Sequence, residues 1–296
     1  MDIRVATELD RATLHQLWQD TFGDDSTFID ASLDVYAGKG HIYVSHEGEA
    51  LLSQLLAVPC KIDSFNGVYL YALATTTLAR GKGTMTKLMK YAEDAEAKQG
   101  AVFACLIPAN APLFDYYKTR GYTVTSNLFW QNVIVKNTKT KNEALSTDVP
   151  NAGLLIDLRQ NYATRPYVDF EPERLQIITK DLAQEGFRVF YASYGYAVAK
   201  KQEDFVLIPE LFVQNGFDEF FCCAIASALN TTNLLISTTK PIDNVLQISG
   251  IQKPFALFKS LSGSFVLDTP PYMRFGFEDL ASNINPAEIP PVIINA

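Results

Sequence analysis

The segment Tyr69–Gly83 reads YLYALATTTLARGKG and joins an apolar strand to the start of a helix. Its two glycines let the main chain approach a ligand closely, because they carry no Cβ atom. The first N–H groups of a helix have no partner within it and lie at the positive end of its dipole. Arg80 and Lys82 add positive charge at the same place. The segment therefore predicts an anion site suited to a pyrophosphate, with a plain tight turn as the alternative.

Two other phosphate-binding motifs are excluded at this loop. The pattern GxxxxGK[ST] is absent, which excludes a P-loop nucleotidase. The dinucleotide-binding pattern GxGxxG is interrupted, because Thr86 occupies the position of its third glycine.

The residue patterns on both sides of the loop predict an α+β, or mixed α/β, fold. Asn66–Gly67 lies between two apolar runs and predicts a hairpin turn within an antiparallel meander. Asn110 is predicted to cap the helix that follows it. In chain order the predicted elements are a strand at 3–6, helices at 11–22 and 26–36, strands at 41–45, 49–59 and 68–77, a helix at 82–99, a strand at 102–107, a helix at 111–120 and strands over 122–135.

The second half of the chain predicts another α+β domain. The stretch 136–150, KNTKTKNEALSTDVP, is polar and lacks periodicity, so it is interpreted as a linker. We expect a first domain over 1–138, a linker over 139–152 and a second domain over 153–296. The order of elements partly repeats after the linker, which indicates a diverged copy of the first domain without its Arg80–Gly83 loop.

Length and composition exclude several classes of protein. The chain has 296 residues, of which 48% are hydrophobic and 20% charged, as expected for two globular domains. The formal net charge of -8 disfavours a nucleic-acid partner. No apolar run approaches the length of a membrane span, and the N-terminus MDIRVATELD is too polar for a signal peptide.

The cysteines predict neither a disulfide framework nor a metal site. Cys60, Cys105, Cys222 and Cys223 form no CxxC pair and lie at no metal-ligand spacing from a histidine. Cys222 and Cys223 are adjacent in an apolar run and are interpreted as buried thiols, and the compartment is expected to be reducing and cytoplasmic.

A second block downstream completes a family resemblance. The stretch Leu106–Tyr122 reads LIPANAPLFDYYKTRGY and looks like the F-Y-x-x-x-G-F segment of the GNAT acetyltransferase superfamily. Arg80–Met85, RGKGTM, resembles that family's [QR]-x-x-G-x-[GA] motif, except that Met85 replaces a small residue. The pair Ala74–Thr75 is similar to the "AT" that precedes this loop in larger, multi-domain members. The resemblance covers residues 1 to about 135.

The resemblance implies an acyl-CoA N-acyltransferase fold and acetyl-CoA as co-substrate. Strand 68–77 would diverge from strand 102–107, and the pantetheine arm would lie between them. Met85 would bring its side chain near the pyrophosphate. The implied acetyl-CoA-binding residues are Leu73, Ala74, Thr75, Arg80, Gly81, Lys82, Gly83, Thr84, Met85 and Asn110.

The resemblance also implies a reaction, namely direct attack of a neutral amine on the thioester. Tyr117 is the expected general acid toward the CoA sulfur, because a phenol stays protonated at neutral pH. A main-chain N–H at Thr75 is the expected oxyanion donor. The general base stays open among side chains of the first domain: His41, His46, Glu47, Glu49, Asp30 and Asp34.

The expected function is N-acetylation of a small amine or a peptide amine. Two alternatives stay open, namely a CoA-binding sensor without turnover and an interaction protein that retains the fold. The sequence predicts no nucleic-acid, membrane or metal partner, and it leaves the acceptor and a homo-oligomeric state open.

Overall fold

The computed structural model describes residues 1–36, 39–136, 145–163, 165–238, 250–263, 265–266, 270–271, 273 and 286–294. Residues 137–144, which include part of the predicted linker, lie outside the described residues. The elements in chain order are β1 Asp2–Val5, α1 Arg11–Phe22, α2 Ser26–Tyr36, β2 Ile42–Glu47, β3 Ala50–Ile62, β4 Phe65–Thr75, α3 Thr84–Lys98, β5 Phe103–Leu106, α4 Ala111–Lys118, β6 Val124–Val135, β7 Ser146–Asp148, α5 Ala152–Tyr162, β8 Val168–Phe170, α6 Pro172–Gln184, β9 Arg188–Ala192, β10 Gly195–Lys201, β11 Val206–Val213, α7 Asp218–Ala228, β12 Asn233–Thr238, β13 Ile251–Ser260 and β14 Pro291–Ile294.

The described residues form two compact units that are not contiguous in sequence. Unit 1 contains the described residues of Met1–Thr125, Val168–Ile177 and Ala256–Pro271. Unit 2 contains those of Ser126–Tyr167, Ile178–Phe255 and Tyr272–Ala296. The predicted ranges 1–138, 139–152 and 153–296 were contiguous, whereas each unit draws on several segments of the chain.

Unit 1 is built on a mixed sheet. Strands β1, β2, β3 and β4 are antiparallel neighbours in that order, and β5 lies parallel to β4. The parallel pair requires a crossover, which α3 supplies. The end of β13 pairs antiparallel with β5, and β8 pairs antiparallel with β3. The strand β5 is therefore buried between two neighbours, as its run of buried residues indicates.

Apolar spacing along the helices explains how they cover this sheet. Leu14, Leu17 and Trp18 of α1 are buried, and the helix ends at Gly23, whose φ of 76° is left-handed. Helix α3 buries Leu88 and Met89 against residues of the strands in one apolar cluster. The buried side chains of these helices recur at intervals of three and four residues, as expected for an amphipathic helix.

The hairpin between β3 and β4 corrects one prediction. Its turn is formed by residues 63–64, because Ile62 pairs with Phe65. Asn66–Gly67, predicted as the turn, lies inside β4 instead. Gly67 is required there for space, since a Cβ atom would lie 2.3 Å from the Phe103 ring.

Unit 2 repeats the order and the strand directions of unit 1. Strands β7, β9, β10 and β11 are antiparallel neighbours in that order, and β12 lies parallel to β11 after the crossover helix α7. Helices α5 and α6 come between β7 and β9, as α1 and α2 come between β1 and β2. Unit 2 extends further, since β12 pairs with β6 and β6 with β14. The predicted fold class, mixed α/β with a second α+β domain, is confirmed.

The burial of the cysteines agrees with the interpretation of Cys222 and Cys223 as buried thiols. All four cysteines are free and buried. In the part of the chain that the structure describes, no helix is both long and apolar enough to cross a membrane.

Candidate active site

The predicted anion site lies between β4 and α3. Gly81 and Gly83 have φ angles of 75° and 73°, in the left-handed region that glycine adopts without strain. Gly83 is the N-cap of α3, and no Cβ atom at either glycine would meet a neighbour within 4 Å. The main chain is therefore open to a ligand at this loop.

The main-chain donors of the loop are unused. Within the described chain, the first backbone N–H of α3 with a carbonyl partner is that of Lys87, which donates to Gly83 at 3.2 Å. The N–H groups of residues 81–86 donate to no carbonyl oxygen of the described residues. Unpaired N–H groups at a helix N-terminus form an anion-binding cradle. The side chains of Arg80 and Lys82 are exposed beside it.

A β-bulge precedes the loop and was not predicted from the sequence. Gln54 pairs with Ala74 and Leu56 with Tyr71, so Ala72 and Leu73 of β4 oppose Leu55 alone. Ala72 has a φ of 50°, which is rare for a residue other than glycine. Nothing in the alanine's type signals this conformation, because the bulge arises from pairing with β3.

Beyond the bulge, β4 has left its parallel partner. The recorded pairs between β4 and β5 end at Tyr69 and Cys105, whereas β4 continues to Thr75. The residues of β4 from Leu70 to Thr75 therefore have no partner in β5. The strand β5 itself ends at Leu106, so the divergence that the resemblance implies stays a prediction.

Thr75 presents its main chain to the open side of β4. The N–H of Thr76 donates to the carbonyl of Leu52 at 2.9 Å, so that pair is hydrogen-bonded. Bonded and non-bonded pairs alternate in an antiparallel ladder, so the adjacent pair of Thr75 and Ser53 is non-bonded. Its N–H and C=O therefore point away from β3.

Two contacts hold Thr75 in this orientation. The Nε of Arg80 donates to the Thr75 carbonyl oxygen at 3.1 Å, and the Thr75 hydroxyl lies 3.0 Å from that of Ser53. Arg80 thereby links the loop to the end of β4. Its two terminal amino groups have no bond to another described residue and are available to an anion.

Tyr117 lies in α4 with its ring in the apolar core. It belongs to the same cluster as Leu73 and Met85, which are partly buried beside it. Burial raises the pKa of Tyr117 above its ordinary value, with the neighbouring Tyr116 adding to the effect. The hydroxyl forms no hydrogen bond with any described residue. Tyr117, Leu73 and Met85 thus belong to or pack against one apolar cluster, and the raised pKa of Tyr117 favours the protonated phenol.

Arg120 joins α4 to the first turn of α3. Its Nε and one terminal nitrogen donate to the Thr86 hydroxyl at 3.0 and 2.8 Å, and its other terminal nitrogen donates to the Tyr116 carbonyl. The guanidinium also lies 3.3 Å from the Tyr116 ring centroid. These contacts fix the helix that carries Tyr117 beside the loop, and the sequence did not indicate them.

Asn110 and Thr84 have local structural roles. The Asn110 side-chain oxygen accepts from the Leu113 N–H at 3.3 Å, which confirms the predicted cap of α4. The Thr84 hydroxyl is buried and donates to the Ala79 carbonyl at 3.4 Å. Whether these residues also contact a ligand stays a prediction.

The candidates for a general base are largely engaged elsewhere. Asp30 and Asp34 accept from Arg11 at 3.0 and 2.8 Å. His46 lies 3.3 Å from Asp10, and His41 lies 2.9 Å from Glu96. These contacts join none of the candidates to Tyr117 or to the loop.

Unit 2 retains the bulge but not the loop. Ile208 and Pro209 of β11 oppose Ala199 of β10, and the pairs of β11 with β12 end at Ile208. The segment 214–217 that follows β11 contains no arginine or lysine, and the first turn of α7 carries Asp218 and Glu219. Acidic side chains at this helix N-terminus oppose a second anion, so unit 2 has no comparable pyrophosphate site.

Comparison with known proteins identifies related folds. Residues 2–125 match a family model described as an acetyltransferase (GNAT) domain. A conserved protein of Enterococcus faecalis V583, described as a probable N-acyltransferase, is similar in structure, with a TM-score of 0.69 and 14% identity over 88% of this chain and 72% of that chain. Among curated proteins, none matches this chain.

Two further solved structures share the fold. A GCN5-related N-acetyltransferase from Anabaena variabilis has a TM-score of 0.66 and 13% identity, covering 88% of this chain and 73% of that chain. A tandem GNAT protein from the clavulanic acid biosynthesis pathway has a TM-score of 0.52 and 11% identity, covering 89% of this chain and 99% of that chain. At such identities the likeness concerns the fold alone.

Proposed function

Because residues 2–125 match a family model described as an acetyltransferase (GNAT) domain, we propose that the protein transfers an acetyl group from acetyl-CoA to a primary amine in a ternary complex. The observation that carries the proposal is that β4 continues without a β5 partner from Leu70 to Thr75 and is followed by the loop in which the N–H groups of residues 81–86 are unpaired within the described chain. The unpaired end of a strand offers backbone groups to an extended arm, and unpaired N–H groups suit a pyrophosphate.

The residues of this chain fit acetyl-CoA at both ends. Residues 81–86 would hold the pyrophosphate through main-chain N–H groups, with Arg80 and Lys82 adding charge. Met85 is no obstacle to this mode, because its side chain packs into the apolar cluster. Leu73, Ala74 and Thr75 would line the pantetheine arm. Bound acetyl-CoA supplies the reactive thioester.

The reaction is an acyl transfer in which one bond forms and one breaks. The neutral amine nitrogen attacks the thioester carbon, and the developing oxyanion accepts from the Thr75 N–H. The C–S bond then breaks, and Tyr117 donates its proton to the departing sulfur. The proton lost by the amine passes to solvent, since no described side chain at the site is a defined base, and the Tyr117 phenolate regains a proton from solvent.

Two further parts of the proposal concern the cellular location and the role of unit 2. Four free, buried thiols support a reducing, cytoplasmic location. Unit 2 would act without its own acetyl-CoA, as the acidic turn at Asp218 and Glu219 indicates. The acceptor would be a small amine or a peptide amine.

Thermal unfolding with acetyl-CoA tests the binding part of the proposal. A ligand at a hundred times its Kd stabilises the native state by about 2.7 kcal/mol, so Tm should rise clearly. The variant Arg80→Glu/Lys82→Glu should lose the rise. Lys98→Glu/Lys180→Glu has the same change in net charge at exposed positions away from the loop and should keep it.

Turnover is tested separately by release of the CoA thiol with a panel of amines. Binding together with amine-dependent thiol release supports the transferase. Binding without turnover on any amine would favour a CoA-binding sensor, and absence of binding at millimolar acetyl-CoA would favour an interaction protein.

A further inference from the structure

Unit 1 contains a cavity that is remote from the Arg80–Gly83 loop. Its volume is about 520 Å³, and it lies against the C-terminal end of α3, the start of β4 and the strand β8. Cavities of roughly 300–1,000 Å³ are the usual size for small-molecule sites. The charged lining residues are Lys61, Glu96, Asp169 and Glu171, with His41 beside them.

Glu96 is the buried group of this cavity. Its side chain is 3% exposed, and its Oε1 accepts from the Tyr43 hydroxyl at 2.9 Å and contacts the Nδ1 of His41 at 2.9 Å. The other carboxylate oxygen, Oε2, has no hydrogen bond to any described residue. Glu96 lines the cavity, and its Oε2 is therefore the oxygen that a ligand in the cavity can reach.

The other two carboxylates form no ion pair in the described part of the chain, whereas Glu96 pairs with His41. Asp169 accepts only from the N–H of Phe170, at 3.0 Å, and Glu171 forms no ion pair in the described part of the chain. Lys61 is exposed and pairs with none of the three carboxylates there. The lining therefore carries three acidic groups, one solvated ammonium and the imidazole of His41, so the acidic groups predominate and favour a positively charged occupant.

The cavity is separate from the reaction site. Glu96 follows Thr84 on the same helix by twelve residues, which corresponds to about 18 Å along the axis at 1.5 Å per residue. The lining residues of β4 are Asn66, Gly67 and Val68, at the opposite end of the strand from Thr75. An amine bound here would not reach the thioester.

We propose that this cavity is a second ligand site, which binds a small organic amine in its protonated form. The ammonium would donate to Oε2 of Glu96, and Asp169 and Glu171 would face its remaining charge. The proposal does not depend on acetyl transfer, because no residue of the Arg80–Gly83 loop takes part.

Calorimetric titration with 1,4-diaminobutane at constant ionic strength and without acetyl-CoA tests the proposal. The wild type should bind the diamine, whereas 1,4-butanediol, which has the same length and no charge, should not bind. Glu96→Gln keeps an oxygen for Tyr43 and His41 but removes the charge. It should weaken diamine binding about tenfold or more, as expected for loss of a charged hydrogen bond.

Matched variants separate the cavity from other amine sites. Glu93→Gln changes the other buried glutamate of α3, which bonds to Tyr122 and Lys259, and should bind the diamine like the wild type. The Arg80→Glu/Lys82→Glu variant should also bind it, whether or not it binds acetyl-CoA. If Glu96→Gln does not fold, Asp169→Asn/Glu171→Gln should show the same weakening. Equal binding by the diol, or undiminished diamine binding by the cavity variants, would overturn the proposal.

Discussion

At the scale of single residues, Tyr117 combines a buried ring with a hydroxyl that no described residue engages. Because the hydroxyl has no structural partner, Tyr117→Phe should leave Tm nearly unchanged. If the phenol protonates the leaving sulfur, kcat should fall about a hundredfold, and the Kd of acetyl-CoA should stay the same. Stopped assays of thiol release and calorimetry measure the two quantities.

Tyr122 provides the matched control. Its hydroxyl is also buried but donates to Glu93 at 2.8 Å. Tyr122→Phe should therefore lower the free energy of unfolding by about 1 kcal/mol and leave kcat unchanged. A hundredfold loss in both variants would assign the Tyr117 effect to packing.

Asp10 is expected to make the stability of the protein depend on pH. Hydrogen bonds from Arg4 at 2.7 and 2.9 Å lower the pKa of Asp10 well below its ordinary range, and those from Thr7 add to this effect. A lowered pKa means that the folded state holds the proton less well than the unfolded state does. The resulting stability is complete above the ordinary pKa of about 4 and is lost as the pH falls below it.

Asp10→Asn should therefore destabilise the protein most at pH 5–7 in urea unfolding. The difference from the wild type should shrink below about pH 4. Asp115→Asn, at an exposed residue without an ion pair in the described chain, should show no such trend. A constant difference for Asp10→Asn down to pH 3 would contradict this assignment.

At the scale of elements, α5 is tied to the strands of unit 2 by a buried ion pair. Arg159 donates from Nε and a terminal nitrogen to the two oxygens of Glu210 at 2.9 and 2.7 Å, and the Tyr196 hydroxyl donates to Glu210 as well. Arg159→Met would leave a buried carboxylate without its cation. We expect a loss of about 3–5 kcal/mol in the free energy of unfolding.

The double variant Arg159→Met/Glu210→Leu tests whether the loss of stability comes from the unpaired charge of Glu210. It removes both charges and keeps apolar volume, so it should recover much of the loss, as replaced buried pairs do. Denaturant unfolding of the single and double variants completes the cycle. A double variant as unstable as the single one would show that the Tyr196 bond carries the effect.

Element positions were predictable where periodicity is strong. Helices α1 and α2 begin and end where their apolar spacing and their flanking polar residues indicate. The turn predicted at Asn66–Gly67 was wrong. Gly67 is needed to leave room for the Phe103 ring, but a glycine after an asparagine has the appearance of a turn in the sequence. The bulge at Ala72 was not predictable, since it depends on which residues of β3 lie opposite.

Some features of the candidate site could likewise be predicted from the sequence, and others could not. The Arg80–Gly83 loop and the Asn110 cap are local features, so their residue types reveal them. The bond from Arg80 to Thr75 and the contacts of Arg120 with Thr86 are made by side-chain direction and packing, which a single sequence does not encode visibly. The GNAT-like fold itself is confirmed by the match to residues 2–125.

At the scale of the whole molecule, unit 1 draws on three separate segments. The predicted domain 1–138 lacks β8 and the end of β13, which pair with β3 and β5. A protein consisting of residues 1–138 would expose the edge of β5 and the apolar side chains that face it. It should aggregate or unfold at a lower Tm than unit 1 does in the full chain.

Light scattering and thermal unfolding of the 1–138 fragment measure this prediction. Adding a peptide of residues 250–263 in trans should restore part of the soluble fraction, because it supplies the missing neighbour of β5. A soluble, cooperatively folded 1–138 fragment would show that the late segments are dispensable.

The pairing of β5 with β13 also determines when the sheet of unit 1 can be completed during synthesis on the ribosome. The segment Ala256–Ser260 emerges only after most of the polypeptide has been made, so the sheet of unit 1 stays incomplete until then. At about 5–20 residues per second, the interval between translation of β5 and of its partner lasts several seconds or more. During that interval the nascent chain has an open strand edge, which makes it a natural client for chaperones.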